Sequence, residues 1–190
     1  MVYTLKINNA IKFAIKTHEI YQKQARKGKN VAYITHPLTV GIILAKAGAT
    51  EDVIVAGILH DTIEDSVLEK KVTPAMLTER FGDNVSQLVW SVTEHDRRLP
   101  WDERKSQALA EINKSSGDSL LIKSADILSN MLELLDDHAR YGDPVFERFS
   151  VPKEKTVKHQ LAATQALINC WPENPLLEDL LSLEKSLQII

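Results

Sequence analysis

The sequence predicts an all-α fold, a bundle of helices. Its apolar residues recur at three- and four-residue spacing without alternating, and its seven glycines and seven prolines fall mostly between those stretches. A period near 3.6 marks helices with one buried face, and turn residues mark where they stop.

The elements follow in order. Ile7, Ile11, Ala14, Ile15 and His18 share one face of a first helix, which runs towards a basic, polar loop holding Arg26, Lys27 and Gly28. That loop leads into Tyr33-Ile34-Thr35-His36. Pro37 suits the first turn of a second helix, where its missing N–H costs nothing, and Gly48 suits its end. Thr50 is placed to cap a third helix, and Glu51 and Asp52 complement its positive end. The run Val53, Ile54, Val55, Ala56, Ile58, Leu59 is apolar enough for a central helix, which delivers His60 and Asp61. Thr73-Pro74 starts the next helix, and Phe81-Gly82-Asp83 breaks it into another carrying Val85, Leu88, Val89 and Val92. A polar segment occupies 94–100, a helix 101–112, and the Ser115-Ser116-Gly117-Asp118 cluster a turn. A strongly apolar helix over 120–135 carries Asp126, and a loop surrounds Gly142-Asp143-Pro144. Two further helices, over 153–170 and 176–187, complete the chain.

Length and composition narrow the function. The 190 residues suit a single domain, 1–190, without internal repeat, low-complexity tract or linker. With 44% hydrophobic and 26% charged residues, the chain has enough apolar surface for a core. A net charge of -3, with both signs scattered, lacks the basic footprint of a nucleic-acid-binding domain. Cys170 is the sole cysteine, which excludes a disulfide framework and suits the cytoplasm. No leader-like segment or bilayer-length apolar run is present, so no membrane association is expected.

The chemistry concentrates in Ile58-Leu59-His60-Asp61-Thr62-Ile63-Glu64-Asp65, where four ionisable groups follow a very apolar helix. Such groups are seldom placed at a core without a partner. In a continuous helix Glu64 lies one turn beyond His60 and Asp65 one turn beyond Asp61, so all four share one side. Imidazole and carboxylate donors suit divalent manganese, iron, cobalt or zinc. His36, at the start of the second helix, and Asp126, from the late helix, are the natural further ligands. Blander readings stand beside these: His36 as a core histidine, Asp126 paired with Lys123, Glu64 and Asp65 as a solvated helix end, Arg26 and Lys27 as surface cations. His18, His95, His138 and His159 lack spacing that ties them to the cluster and read as structural or surface groups. Glu103-Arg104-Lys105 reads as a solvated helix face, the three tryptophans as packing residues, and Cys170 as a small buried hydrophobe.

The order His36, His60-Asp61, Asp126 resembles the H…HD…D signature of the HD superfamily of phosphohydrolases. Within it the chain looks like the hydrolase domain of the Rel/SpoT group and its small stand-alone relatives. The matching stretches are Gln24-Ala25-Arg26-Lys27, Tyr33-Ile34-Thr35-His36-Pro37, Leu59 to Asp65, Phe81-Gly82 and Lys123-Ser124-Ala125-Asp126. The resemblance implies an HD-domain helical bundle with a metal site between its central helices. It implies a manganese ion on His36, His60, Asp61 and Asp126, and Glu64 and Asp65 acting on the attacking water. Arg26, Lys27 and Asn130 would contact a phosphorylated nucleotide. The implied reaction is hydrolysis of guanosine 3′,5′-bis(diphosphate), or its pentaphosphate analogue, to GDP or GTP and pyrophosphate. This length leaves no room for a synthetase domain, so degradation alone is expected. Alternatives are a phosphatase acting on another nucleotide and a non-catalytic regulatory module; no oligomeric state is implied. The chain departs from the family pattern in two places: Ile127 and Leu128 follow Asp126 where a basic residue is usual, and the segment between His18 and Arg26 is long.

Overall fold

A computed structural model describes residues 3–115 and 117–190. Among them every regular element is helical, apart from one isolated antiparallel bridge between Ala25 and Ala32. The all-α expectation holds. The backbone divides into two compact units, residues 1–95 and 96–190, and the division falls inside the polar segment 94–100.

In the first unit the helices are α1 (Leu5–Ile15), α2 (Thr35–Lys46), α3 (Glu51–Leu59), the single turn α4 (Thr62–Asp65), α5 (Pro74–Phe81) and α6 (Asp83–Val92). Thr4 caps α1 by accepting the Ile7 N–H, and Thr73 caps α5 by accepting that of Met76, with Pro74 behind it. Thr50 has the extended backbone of an N-cap but makes no side-chain cap bond. The carboxylates after it engage α1 instead: Thr4 Oγ1 donates to Glu51, and Lys6 Nζ lies 2.5 Å from Asp52. Gly48, at φ 76, lets the chain leave α2 with Ala49 N–H bonded to Leu44 C=O.

Beyond its acidic first turn α3 is apolar and buried, from Val55 to Leu59 without a break, and it packs against α1, α2 and α6. Its approach to α2 is close because two glycines face side chains across the interface. A methyl on Gly57 would lie 2.2 Å from Leu44 Cδ1, and one on Gly41 2.7 Å from Ile58 Cγ1. Since Leu44 is fully buried, it has little space into which to retreat. This contact sets the spacing between the start of α2 and the end of α3.

The second unit holds α7 (Trp101–Ile112), α8 (Gly117–Tyr141), α9 (Lys153–Cys170) and α10 (Leu177–Leu187). α8 runs 25 residues, longer at both ends than the sequence predicts. Gly117 and Asp118 are helical rather than part of a turn, while Ser116 lies outside the described residues. The helix continues through His138 and Arg140, and its buried Asp137 is matched by Arg148 Nη1 at 2.7 Å. It stops at Gly142, φ 69, before a 3₁₀ turn over Asp143–Arg148. Its apolar stripe packs on α9 and α10, and Asn174 ties the α9–α10 connection to Ser124 at 2.8 Å. Cys170 is exposed, not buried, and its Sγ donates to Asn113 Oδ1 at 3.2 Å; the end of a helix is solvated even where its pattern is apolar. Trp90 in the first unit is likewise 47% exposed, and its ring rests on His95.

Gly57→Ala should destabilise the protein by about 1–3 kcal/mol, the cost of overpacking, measured by urea denaturation. An unchanged midpoint would mean that α2 and α3 separate freely. In the second unit, burial and then the charge of Lys105 lower the His159 pKa from 6.5 to about 4. The unfolded chain therefore takes up this proton first, so stability is complete above pH 6.5 and declines as pH falls towards 4. His159→Phe, keeping the edge-on contact with Trp101, should flatten that limb of a melting-temperature profile. Equal slopes in both proteins would assign the acid sensitivity elsewhere.

Candidate metal centre

His36 sits in the first turn of α2, just behind a loop pinned on both sides. Ile34 N–H donates to Glu19 Oε1 at 2.9 Å, and His36 N–H to Tyr33 C=O. His60 and Asp61 follow the end of α3. There the chain does not continue as one helix: Asp61 lies at φ -91, ψ -4, and Asp65 N–H closes on Asp61 C=O as a separate turn. That bond still sets Asp65 one turn beyond Asp61.

The break brings three donors together. His36 Nε2 and His60 Nε2 are 3.2 Å apart, and Asp61 Oδ2 lies 3.0 Å from His60 Nε2 and 3.7 Å from His36 Nε2. All three residues are buried, at 3%, 4% and 8% exposure. His60 Nδ1 stands 2.7 Å from Gly57 C=O, an acceptor only, so Nδ1 carries the proton and Nε2 presents a lone pair in the neutral ring. Tyr33 donates its hydroxyl to Asp61 Oδ2. Burial opposes ionisation of Asp61, but imidazolium charge on His60 and His36 in the absence of a cation, together with the Tyr33 hydroxyl, overcomes it and holds the carboxyl well below the usual range. An ionised oxygen and imidazole lone pairs turned to one point fit a divalent first-row cation, and the Gly57 carbonyl fixes the ligand ring as outer partners of metal-bound histidines do.

The other residues singled out from sequence make contacts of their own. Glu64 Oε2 accepts the Glu94 N–H at 2.8 Å, and Asp65 Oδ2 accepts from Gln24 Nε2 at 2.8 Å. Neither is a solvated helix end: Asp65 is buried and Glu64 half-buried. Arg26 and Lys27 lie on the loop closed by the Ala25–Ala32 bridge; the Arg26 guanidinium covers the Tyr33 ring at 5.6 Å, and Lys27 is exposed. In the second unit, Asp126 and Asn130 sit one turn apart on α8, both half-buried, with Asn130 Nδ2 donating to Asp126 Oδ1 at 2.7 Å. Glu103, Arg104 and Lys105 lie on α7, the first exposed and the others half-buried.

Sequence reading names Tyr33, Gln24 and His18 but gives them no part in the site, and it passes over Gly57. Gly57 stands three residues before His60, and helical spacing marks it as a neighbour. His18 is completely buried on a π-helical turn, Lys16–Tyr21, within the long segment before Arg26. Burial lowers its pKa, against the opposing pull of Gln24, Asp61 and Asp65. His95 and His138 do read correctly as structural or surface groups, against Trp90 and Asp143 respectively.

Comparison with known proteins adds context to this geometry. A family model for the HD domain matches residues 10–146, most of the chain and across both units. The mouse guanosine-3′,5′-bis(diphosphate) 3′-pyrophosphohydrolase MESH1 is 35% identical over 119 residues, covering 62% of this chain and 64% of that protein. A probable GTP pyrophosphokinase of Mycobacterium leprae is 41% identical over 102 residues, covering 52% of this chain but 12% of its own length. The chain thus spans under two thirds of both relatives. A solved structure described as a metazoan ortholog of SpoT that hydrolyzes ppGpp superposes with a TM-score of 0.73 at 26% identity, over 98% of this chain and 94% of the other. No helix among the described residues is long and apolar enough to cross a membrane.

Isothermal titration with manganese should show at least about a hundredfold weaker binding for His36→Ala and about tenfold for Tyr33→Phe, which removes a partner of a ligand. Full-strength binding by His36→Ala would place the cation elsewhere.

Proposed function

This chain belongs to the HD-domain family, and we propose on that footing that it is a metal-dependent hydrolase of guanosine 3′,5′-bis(diphosphate). The buried convergence of His36, His60 and Asp61 is the observation that carries the reading. Such a cluster is costly to desolvate and makes chemical sense around a cation. Residues 1–190 act in this reading as one HD-type domain, with Asp126 as the fourth ligand and manganese as the metal. A divalent cation held there would supply charge to polarise a phosphoryl oxygen and acidify water.

The protein's own groups then divide the work. Glu64 and Asp65 orient the nucleophilic water, and the ionised carboxylate takes its proton. Water replaces the 3′ ester oxygen's bond to phosphorus: the nucleotide leaves with a 3′-hydroxyl, as GDP or GTP, and pyrophosphate is released. Arg26, spread over Tyr33, and Lys27 neutralise the anionic substrate, and Asn130 binds it beside Asp126. The 35% identity to MESH1 supports this substrate over other phosphorylated nucleotides. Ile127 and Leu128, where the family usually has a basic residue, are the feature that favours a different nucleotide. The expected setting is cytoplasmic, with neither nucleic acid nor membrane as partner.

Purified protein with manganese should release pyrophosphate from guanosine 3′,5′-bis(diphosphate), and chelation or Asp61→Ala should reduce kcat by at least about a thousandfold. Faster turnover of another nucleotide in a parallel panel would reassign the substrate; full activity of Asp61→Ala would remove the metal cluster from catalysis.

A further inference from the structure

His18 and Gln24 stand behind the proposed reacting groups, yet an unbroken run of hydrogen bonds joins them to Asp65. His18 Nδ1 lies 3.0 Å from Gln24 Oε1, and Gln24 Nε2 donates to Asp65 Oδ2 at 2.8 Å. A primary amide has one donating end and one accepting end. With the amine committed to a carboxylate, Oε1 must accept, so the imidazole carries its proton on Nδ1. His18 Nε2 is then a bare lone pair, fully buried, and it meets no hydrogen-bond partner among the described residues. An apolar side chain would fill that space without the cost of an unmatched polar atom. What the imidazole provides, and an apolar group cannot, is the Nδ1–H.

The backbone holds the same arrangement. The π-helical turn Lys16–Tyr21 and the left-handed Lys23, φ 50, bring the chain back so that Gln24 N–H bonds to His18 C=O at 2.8 Å. Gln24 C=O accepts from Tyr33 N–H at 3.0 Å, and the Tyr33 hydroxyl reaches Asp61. Both main-chain groups of Gln24 are thus tied, and its side chain has one direction left to serve. Residues in sparsely populated backbone regions persist where surrounding contacts over-determine them, often at functional sites.

We infer that His18 and Gln24 are positioning residues: His18 locks the Gln24 amide in one orientation, and the amide N–H holds the Asp65 carboxylate in the geometry from which it takes the proton of the attacking water. This rests on the catalytic reading of Asp65. His18 and Gln24 do not touch the reacting atoms; they keep a carboxylate from rotating, which matters because small misplacements of a catalytic group carry large rate penalties.

The test compares Asp65→Asn, Gln24→Leu, His18→Leu and His18→Asn in pyrophosphate release, alongside ¹⁵N NMR of the histidine rings in the metal-free protein. Wild-type His18 should show the Nδ1–H tautomer, and Gln24→Leu should lose that preference. Gln24→Leu and His18→Leu should each lower kcat by about 10–100-fold with KM within about threefold. His18→Asn, whose amide N–H falls near the Nδ1 position, should recover to within about threefold of wild type; a merely space-filling histidine would not be rescued this way. In an Asp65→Asn background Gln24→Leu should add nothing further. If Asp65→Asn is inactive but Gln24→Leu keeps wild-type kcat, this inference fails and the reading of Asp65 stands. If Asp65→Asn is itself fully active, the reading of Asp65 fails and takes the inference with it. An Nε2–H tautomer for His18 overturns the inference without any assay of turnover, and decides the matter if His18→Leu does not fold.

Discussion

Everything in the first unit answers to one constraint: two imidazole nitrogens and a carboxylate oxygen are held within 3.7 Å of one another where water scarcely reaches. In an apolar interior such a cluster is unfavourable unless its members are charged in a complementary way or share a cation. The surrounding structure supplies orientation rather than solvation. Gly57 C=O turns one imidazole, the Tyr33 hydroxyl steadies the carboxylate, and the close contact of α2 with α3 sets the distance between the rings. Glycine at 41 and 57 is therefore a requirement of the site as much as of the core.

The break after His60 has a second consequence. With α3 ended at Leu59, the short turn α4 presents Glu64 to the Glu94 amide and Asp65 to Gln24. Each carboxylate thereby meets a donor from a different part of the chain. A general base held by an N–H keeps one orientation.

The second unit shows the same economy of buried polarity. Asp137 is paired with Arg148, and Asn174 bridges Ser124 to the start of α10, so the polar atoms beneath the long α8 are matched one by one. Those anchors steady the helix that carries Asp126 and Asn130. The HD-domain match running through residues 10–146 spans the polar segment at which the two units divide.

The helices over 101–112 and 153–170 are legible to the residue, because apolar period and turn residues agree there. The ends of α8 are not: in its last turns Asp137 is buried against Arg148, a partner eleven positions on and invisible to any local pattern. Thr50 likewise has the right residue type for a cap, but the contacts between α1 and α3 decided the start of that helix. What the amino-acid sequence determined by itself was the helical class and the spacing of His36, His60, Asp61 and Asp126, since periodicity and residue chemistry are local properties. Only the tertiary structure decided that His36, His60 and Asp61 converge, that Tyr33 and Gly57 orient them, and that His18 and Gln24 reach Asp65. Those relations join residues up to 41 positions apart, and they exist only once packing has closed the distance.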